Sequence, residues 1–355
     1  MLRTTNFTNE GIVDYSNVVT RTIQKKNIDA KYLRKGDIII EKSGGSNKQP
    51  VGRVIYFDGP ESTYLFNNFT GLLRVKNQAV WLPRYVFYSL FHNYRKGGTR
   101  PFESKTTGLH NLKTDDYISR YEVLEAPISE QQSICKQLDY VYDIIKTRQQ
   151  QLQKLDELIK ARFVELFGDP LLDDGRYCKA PLGCLAQVGS SKRIFEKEYV
   201  SEGIPFYRTK EIVELSNGNK ISTELFITPK RYNEIRNEYG VPQAGDLLIS
   251  AVGTIGVIWI VDGKNDFYFK DGNLLRVANS DNFMPVYLKC LLETLICAHK
   301  SKMSSGTAYA ALTISTLKEM SVYKVPLAEQ SQFSTFVSQV DKSKAVEGLY
   351  SSLCL

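Results

Sequence analysis

An ordered set of short motifs occurs twice in this sequence, about 200 residues apart, a period too long for a solenoid repeat. Each set begins with a Gly-Asp pair that opens an apolar strand and ends with Pro-x-x-Glu-Gln at the start of a helix. The first set comprises Gly36–Asp37, Leu72–Val75, Pro83, Gly98–Thr99, Leu112–Lys113 and Pro127–Gln131, and the second comprises Gly245–Asp246, Leu274–Val277, Pro285, Gly306–Thr307, Leu317–Lys318 and Pro326–Gln330. The shared order indicates that a whole domain is duplicated.

Each copy mixes short strands with helices, so the sequence predicts an α+β fold made of two similar domains. The length of 355 residues suits two domains, and 42% apolar with 24% charged residues is typical of a soluble globular protein. We predict a first domain over residues 1–126, a long helix over 127–170, a second domain over 171–325 and a shorter helix over 326–355.

The helix between the two copies is the clearest predicted element, because no glycine or proline occurs from Ser129 to Phe167. Its apolar residues follow alternating steps of three and four, typical of a heptad seam. The predicted seam is Ile134, Leu138, Val141, Ile145, Leu152, Leu155, Ile159 and Leu166, and the C-terminal helix starts the same pattern with Phe333, Val337 and Val340. We expect the two helices to pair antiparallel over part of their span. The alternative is an amphipathic helix that packs only on its own domain.

Motifs for catalysis and metal binding are not found in the sequence. No two prolines adjoin, which excludes the Asn/Asp-Pro-Pro-Tyr/Phe motif of adenine methyltransferases, and no phosphate-binding Gly-x-x-x-x-Gly-Lys occurs. The six cysteines include no Cys-x-x-Cys pair, so zinc is not indicated. Glu103 and Lys105 form a Glu-x-Lys triplet that we interpret as chance. We therefore predict no catalytic residue and no metal ligand in this chain.

Several segments together resemble the DNA-specificity subunit of type I restriction-modification systems. They are the repeated "PISEQQ" and "PLAEQS", "ARFVELFGDP" at the end of the long helix, and "APLGCLAQVGSS" followed by "GIPFYRTKEI". The resemblance covers essentially the whole chain. It implies two target recognition domains joined by long, antiparallel coiled-coil spacer helices.

The resemblance also implies a non-catalytic role in a larger complex. Each recognition domain would read one half of a split, asymmetric target in double-stranded DNA, while the helices fix the gap and dock two adenine methyltransferase subunits. Translocase-nuclease subunits would join for restriction. S-adenosylmethionine, ATP and Mg²⁺ would be held by those partners, so no cofactor is expected in this chain. We expect a cytoplasmic protein without contact to a membrane.

Basic residues near the Gly-Thr loops and in the second domain are the candidates for DNA contact. The net charge of +7 favours a polyanionic partner, and Arg, Lys, Ser and Thr side chains commonly contact phosphates. The candidates are Arg3, Arg95, Lys96, Gly98, Thr99, Arg100, Lys105, Lys192, Arg193, Arg208, Lys210, Lys230, Arg231, Ser305, Gly306 and Thr307. For any one of them, a solvated basic surface is the alternative interpretation.

The two copies differ at their beginnings. Alignment of "RTTNF" at Arg3 with "RTKEI" at Arg208 indicates that the first copy starts part-way through its domain, since residues 173–207 have no counterpart before Met1. The C-terminal helix is also short. An alternative function is therefore a truncated helical scaffold or regulatory protein that binds methyltransferase subunits without reading a full DNA target.

The motif search yields a prediction about the isolated protein. The purified chain should show neither DNA methylation with S-adenosylmethionine nor cleavage with Mg²⁺, because it carries no methyltransferase or nuclease motif. Incorporation of a labelled methyl group and cleavage of a plasmid measure the two activities. Either activity from the single chain would contradict the prediction.

Overall fold

A computed structural model describes residues 1–22, 28–46, 49–106, 109–172, 174–221, 223–303 and 311–353. The chain forms two compact units, residues 1–146 (the first unit) and 147–355 (the second unit), and the boundary falls within one long helix. Within the described ranges, no helix combines the length and the apolar character that crossing a bilayer requires.

The first unit contains two three-stranded sheets, in the orders β3-β1-β4 and β2-β6-β5, and their strand pairs are antiparallel. The strands are β1 (Ile38–Glu41), β2 (Ser43–Gly45), β3 (Val54–Tyr56), β4 (Thr70–Leu73), β5 (Glu103–Thr106) and β6 (Leu109–Leu112). The helices are α1 (Pro83–Arg95), α2 (Thr114–Arg120) and α3 (Ile128–Phe167), the last of which continues into the second unit.

The second unit contains sheets in the orders β13-β12-β15-β8, β14-β10-β11-β9 and β16-β7. Its strands are β7 (Lys179–Pro181), β8 (Val188–Gly189), β9 (Tyr199–Val200), β10 (Ile204–Tyr207), β11 (Phe226–Ile227), β12 (Leu247–Ser250), β13 (Ile258–Ile260), β14 (Tyr268–Phe269), β15 (Leu274–Val277) and β16 (Ser321–Tyr323). Its helices are α4 (Thr209–Ser216), α5 (Pro229–Glu238), α6 (Pro285–Met303), α7 (Ile314–Glu319) and α8 (Leu327–Leu353). The predicted α+β class is confirmed.

The repeated Gly-Asp motifs open the central strands of equivalent sheets. Gly36 and Gly245 have φ angles of +94° and +87°, a conformation that glycine adopts without the steric cost of a side chain. The following strands, β1 and β12, are buried along their whole length and pair antiparallel with β4 and β15, respectively. The Leu-Leu-Arg-Val motif therefore repeats because it forms, or directly extends, the strand beside the Gly-Asp strand.

A buried ion pair joins these two motifs in each unit. Arg74 Nε lies 2.7 Å from Asp37 Oδ1, and Arg276 Nε lies 2.6 Å from Asp246 Oδ2. Both aspartates are 1% exposed. A buried carboxylate needs a charged partner and further hydrogen bonds to offset its desolvation, and the repeat preserves that arrangement.

The glutamine of the first Pro-x-x-Glu-Gln motif fastens α3 to the segment before α1. Gln131 is fully buried. Its Oε1 accepts a hydrogen bond from the Leu82 backbone N–H at 2.9 Å, and its Nε2 donates to the carbonyls of Val80 and Ala126, both at 2.8 Å. Leu82 is the residue before α1, so this side chain links the starts of two helices.

The glutamine of the second motif forms the same three hydrogen bonds in the second unit. Gln330 Oε1 accepts from the Met284 backbone N–H at 2.8 Å, and Nε2 donates to the carbonyls of Asn282 at 3.0 Å and Val325 at 2.8 Å. Gln330 is also fully buried. The Pro-x-x-Glu-Gln motif is therefore an attachment between a domain helix and the long helix that follows it.

One predicted equivalence between the copies was wrong. Leu112 N–H donates to the Lys42 carbonyl at 2.8 Å, and Leu312 N–H donates to the Ala251 carbonyl at 3.0 Å. Lys42 and Ala251 each follow a buried central strand, so Leu112 corresponds to Leu312 and not to Leu317. The matching Leu-Lys letters at 317 misled the alignment because they lie one element further along, within α7.

The first part of α3 is held to α1 by a polar cluster. The Arg84 guanidinium donates from NH2 to Asp139 Oδ1 at 2.7 Å and to the Tyr88 hydroxyl at 3.1 Å, and that hydroxyl donates to Asp139 at 2.5 Å. Burial, together with the hydrogen bond to Asp139, raises the pKa of Tyr88 above its usual range. The cluster keeps the Tyr88 hydroxyl protonated as a donor to Asp139.

The second part of α3 packs antiparallel against α8. The Phe163 and Phe333 ring centroids are 5.4 Å apart, and Lys344 Nζ lies 2.7 Å from Asp156 Oδ1. As residue numbers fall along α3, those of the contacting residues on α8 rise. The antiparallel arrangement expected from the sequence is therefore observed within the second unit.

The predicted seam residues differ in burial along the helices. Ile159, Phe333, Val337 and Val340 are buried, Ile134, Ile145, Leu152, Leu155 and Leu166 are half-buried, and Leu138 and Val141 are exposed. Phe163 and Phe167 are also buried but were not in the predicted seam. They face Tyr287 of α6 with ring centroids at 5.5 Å and 5.0 Å, so contact with a third helix widens the apolar stripe beyond a two-helix seam.

The buried ion pair yields a stability prediction. Asp246→Ala should lower the free energy of unfolding of the second unit by about 3 kcal/mol, because it leaves the Arg276 guanidinium and two backbone donors without their acceptor. Urea denaturation followed by the fluorescence of Trp259, on the neighbouring strand β13, measures the change. Asp281→Ala, at an exposed position, is the control and should cost under about 0.5 kcal/mol. Equal costs for both variants would contradict the assignment.

Candidate nucleic-acid interface

The loop that follows α1 presents a group of cations in the first unit. Arg95, Lys96 and Arg100 are exposed, and within the described ranges none of them lies in an ion pair. Gly97, with φ of +77°, reverses the chain so that these residues occupy one short loop. Exposed cations without acidic partners are suited to contact phosphate groups.

The Gly-Thr motif itself builds this loop. Thr99 is fully buried, and a Cβ atom placed on Gly52 would lie 2.7 Å from its Cγ2 atom. Gly98 passes so close to the side chain of Asn93 that a side chain would not fit there. We therefore assign Gly98 and Thr99 to packing, and the neighbouring cations to the exposed surface.

Glu103 of the Glu-x-Lys triplet has a structural role. Its Oε1 accepts a hydrogen bond from the Val51 backbone N–H at 2.8 Å, and its Oε2 lies 3.1 Å from His110 Nδ1. Both side chains are 9% exposed. Lys105 lies two residues later on β5, where its backbone pairs with His110 on β6. Both carboxylate oxygens of Glu103 are already engaged, which agrees with the interpretation of the triplet as chance.

Two candidate arginines of the second unit are already bound by acids. Arg193 Nε lies 2.8 Å from Asp271 Oδ2. Arg231 contacts Glu198 at 2.9 Å and Glu234 at 3.2 Å. These carboxylates neutralise the guanidinium groups locally, so the two arginines contribute less to attraction of DNA than their number in the sequence suggests.

The candidate lysines of the second unit are less constrained. The Lys192 ammonium lies 4.7 Å from the ring centroid of Tyr239, a cation–π contact. Lys210, on the first turn of α4, and Lys230, on the first turn of α5, are exposed and form no ion pair within the described part of the chain. Ser305, Gly306 and Thr307 lie outside the described residues.

Arg3 and Arg208 occupy equivalent positions in the two units. The Arg3 N–H donates to Asn6 Oδ1 at 3.0 Å, and the Arg208 N–H donates to Glu211 Oε2 at 2.8 Å. In both arginines the Nε atom is buried without a hydrogen-bond acceptor among the described residues. An unpaired buried donor is uncommon in folded proteins, and here it recurs at the same place in both copies.

The second unit also contains a groove of about 990 Å³ among α3, α6 and α8. Its lining includes Phe163, Cys290 and Glu293. Burial raises the pKa of Cys290 to about 12 and also raises the pKa of the Glu293 carboxyl. A thiol with so high a pKa is a poor nucleophile at neutral pH, so Cys290 is not an activated cysteine.

Each unit is attached to a long helix by the same three hydrogen bonds of a buried glutamine. The two units are therefore copies of one recognition module, each joined to a helix. The family model for the type I restriction modification DNA specificity domain matches residues 1–157 and 179–349. This chain belongs to that family.

Curated relatives and solved structures agree with this assignment. The chain is 30% identical over 187 residues to a type I restriction enzyme specificity subunit of Haemophilus influenzae. The aligned region covers 52% of this chain and 45% of the relative. It is 23% identical over 337 residues to the MjaX specificity subunit of Methanocaldococcus jannaschii, with 88% and 73% covered. The chain therefore spans less than half of the Haemophilus relative.

The fold is similar to that of solved specificity subunits. The S subunit of a type I restriction-modification system from M. genitalium aligns with a TM-score of 0.52 and 16% identity over 100% of this chain and 88% of its own. A structure from work on complex assembly and conformational transition of the type I R-M system aligns with a TM-score of 0.54 and 17% identity, over 91% and 79%. At these identities the likeness concerns the fold alone.

The unpaired cations yield a prediction for DNA binding. The single replacements Lys96→Ala and Arg100→Ala should each weaken the binding of a DNA duplex. Each should also lower the magnitude of the slope of the logarithm of the binding constant against the logarithm of the salt concentration, by about 1 for each phosphate group that is no longer bound. Fluorescence anisotropy with the full chain at several salt concentrations measures both quantities. Lys113→Ala removes an exposed lysine of the same unit and should change neither. If Lys96→Ala and Arg100→Ala both keep the wild-type slope, as the control does, the loop does not contact DNA.

Proposed function

We propose that this chain is the DNA sequence-specificity subunit of a type I restriction-modification complex, in which each unit reads one half of a split target. The repeated glutamine attachment is the observation that carries the proposal. Gln131 and Gln330 bind each unit to its following helix through the same three backbone groups. Two reading modules on helical supports suit a target with two separated halves.

The two half-sites differ, so the full target is asymmetric. Two features support this: the first unit presents the cations of the Arg95–Arg100 loop, and the candidate arginines of the second unit are bound by acids. Different side chains select different bases, with roughly 1–3 kcal/mol of discrimination from each well-formed pair.

The helix α3 sets the distance between the half-sites. It is one continuous helix of 40 residues, which corresponds to about 60 Å at 1.5 Å per residue. The exposed Leu138 and Val141, at 41% and 36% exposure, lie on its first part and give adenine methyltransferase subunits an apolar surface to dock on.

Catalysis belongs to the partners. Two methyltransferase subunits carry S-adenosylmethionine and modify adenine, and translocase-nuclease subunits carry ATP and Mg²⁺ for restriction. The complex acts on double-stranded DNA in the cytoplasm. The specificity chain contributes target choice, which requires shape and hydrogen-bonding groups but no reactive side chain.

A second candidate function is suggested by the exposed apolar residues Leu138 and Val141 of α3. In this alternative the chain is a helical scaffold that binds methyltransferase subunits without reading a full target. DNA binding with a shallow salt dependence, together with stable binding of methyltransferase subunits, would support this candidate over the first.

A change in the length of α3 tests the proposed function. Insertion of one heptad after Gln150 keeps the helix in register and lengthens it by about 10 Å, close to three base-pair steps of 3.4 Å. The gap between half-sites should therefore widen by about one to three base pairs, while the bases of both halves stay the same. Genome-wide mapping of methylated adenine, in cells that co-express the variant and its methyltransferase, measures both.

The controls separate spacing from loss of structure. An insertion of two residues at the same place rotates the following apolar residues away from α8 and should reduce methylation at every spacing. An unchanged gap with full activity would show that α3 does not set the spacing. Altered half-site bases would place recognition in the helix, and a palindromic target would contradict the asymmetry.

A further inference from the structure

The loop that follows β8 is fixed to the rest of the second unit. The Ser190 hydroxyl donates to the first carbonyl group of β15 at 2.8 Å, and the Lys192 N–H donates to the Tyr268 hydroxyl at 2.6 Å. The side chain of Ile194 is 4% exposed. These contacts hold the backbone on both sides of Arg193, so its side chain leaves the loop from a fixed position.

A carboxylate from another loop sets the direction of the Arg193 side chain. Arg193 Nε lies 2.8 Å from Asp271 Oδ2, and Asp271 belongs to the turn between β14 and β15. The Asp271 side chain is 17% exposed, whereas that of Arg193 is 68% exposed. Within the described part of the chain, Arg193 forms no hydrogen bond through its terminal nitrogens. The inner end of the guanidinium is therefore bound, and its outer end is open to solvent.

The other candidate arginines of the second unit lack this arrangement. Arg231 is bound by two carboxylates, one at Nε and one at NH1, and its side chain is 30% exposed. The partner of Arg208 is Glu211, which is fully buried and also accepts from the Arg208 backbone N–H. Of the three arginines, Arg193 has the most exposed side chain.

The free end of such a guanidinium suits a guanine base. An arginine side chain carries only hydrogen-bond donors. In the major groove, guanine presents two neighbouring acceptors, O6 and N7, whereas adenine and cytosine each present a donor and thymine presents one acceptor beside a methyl group. A guanidinium that is already held by a carboxylate also loses less freedom when it binds. Arg193 therefore matches guanine better than any other base.

The Asp271 carboxylate disfavours a phosphate group as the ligand of Arg193. A phosphate at the outer end of the guanidinium would bring a second negative charge close to Asp271, and the two charges would repel each other. The edge of guanine is uncharged and meets no such repulsion. An arginine with an acidic partner is therefore better suited to read a base than to neutralise the DNA backbone.

Two neighbouring lysines can bind the phosphates instead. Lys192 is exposed, and its ammonium lies 4.7 Å from the ring centroid of Tyr239. Lys270 directly precedes Asp271 in the turn. Neither lysine has an ion-pair partner among the described residues. Lysine ammonium groups bind phosphates as point charges, which positions a protein on DNA without selecting a sequence.

We propose that Arg193, oriented by Asp271, reads a guanine base in the half of the target that the second unit recognises. The inference rests on the proposed function and adds a residue and a base to it. Arg193 contacts the base, whereas Asp271 acts through Arg193 and is a positioning residue. The half-site of the second unit therefore contains a G·C pair whose discrimination depends on this ion pair.

Genome-wide mapping of methylated adenine, in cells that co-express the chain and its methyltransferase, tests the inference. Arg193→Ala should relax one G·C position in one half of the target. The preference for guanine at that position should fall at least about fivefold, because a good bidentate pair contributes that much discrimination. The other positions and the gap should stay the same.

Two conservative variants separate reading from a structural role. Arg193→Lys should keep a weaker preference for guanine, because the ammonium still donates to O6 or N7 but is not a planar fork. Asp271→Asn should weaken the same position, because it removes the charge that orients the guanidinium. If Arg193→Ala abolishes methylation, these two variants decide the matter, and wild-type discrimination in both would overturn the inference.

Controls separate the base contact from charge and folding. Arg236→Ala removes another exposed arginine of the second unit and should leave the target unchanged. Urea denaturation of Arg193→Ala should match that of the wild type, since an exposed ion pair contributes little to stability.

Three results would overturn the inference and leave the proposed function standing. An unchanged target in Arg193→Ala would show that Arg193 and Asp271 form a surface ion pair only. Equal relaxation of both halves would show that the substitution acts on the whole complex. Relaxation at a position other than a G·C pair would show that the base is not guanine. A wild-type target without two separated halves would instead overturn the proposed function, and this inference with it.

Discussion

A buried glutamine amide fastens each half of this protein to the helix that follows it, and the rest of the architecture depends on that attachment. Gln131 and Gln330 each satisfy three backbone groups away from water. A backbone group that loses such a partner in a buried setting costs about 1–3 kcal/mol. The proline of each motif immediately precedes a helix, α3 or α8, and the glutamine fixes the direction of that helix relative to α1 or α6. The repeat in the sequence is thus a repeat of one hydrogen-bonded junction.

Much of the fold could be predicted from the sequence because duplication marks the residues that hold each unit together. The Gly-Asp and Leu-Leu-Arg-Val motifs correspond to adjacent strands joined by a buried ion pair. Contacts between distant segments were not predictable in the same way. Phe163 was missed because a heptad pattern describes two helices, whereas α6 adds a third contact through Tyr287. Leu317 was aligned wrongly because letters can match where backbone hydrogen bonds do not.

For the candidate DNA contacts, the sequence likewise did not predict which basic residues are paired with acids. The sequence identified basic residues, but not which of them are neutralised, because some acidic partners, such as Asp271 and Glu198, are far away along the chain. Arg193 is bound by Asp271, and Arg231 by Glu198. Thr99 was chosen from a repeated motif and is buried, since the repeat preserves packing as well as surface. The contrast between paired and unpaired cations is information that only the fold supplies.

The glutamine junction also has a consequence for how this protein can change over time. Each amide contacts only backbone groups, at Leu82, Val80 and Ala126 in one unit and at their counterparts in the other. Backbone groups are the same for every residue type except the N–H that proline lacks. The side chains around the junction can therefore be substituted without loss of its hydrogen bonds. Recombination at the start of the helix could also exchange one unit for a divergent one, and the glutamine would form the same hydrogen bonds with the new unit.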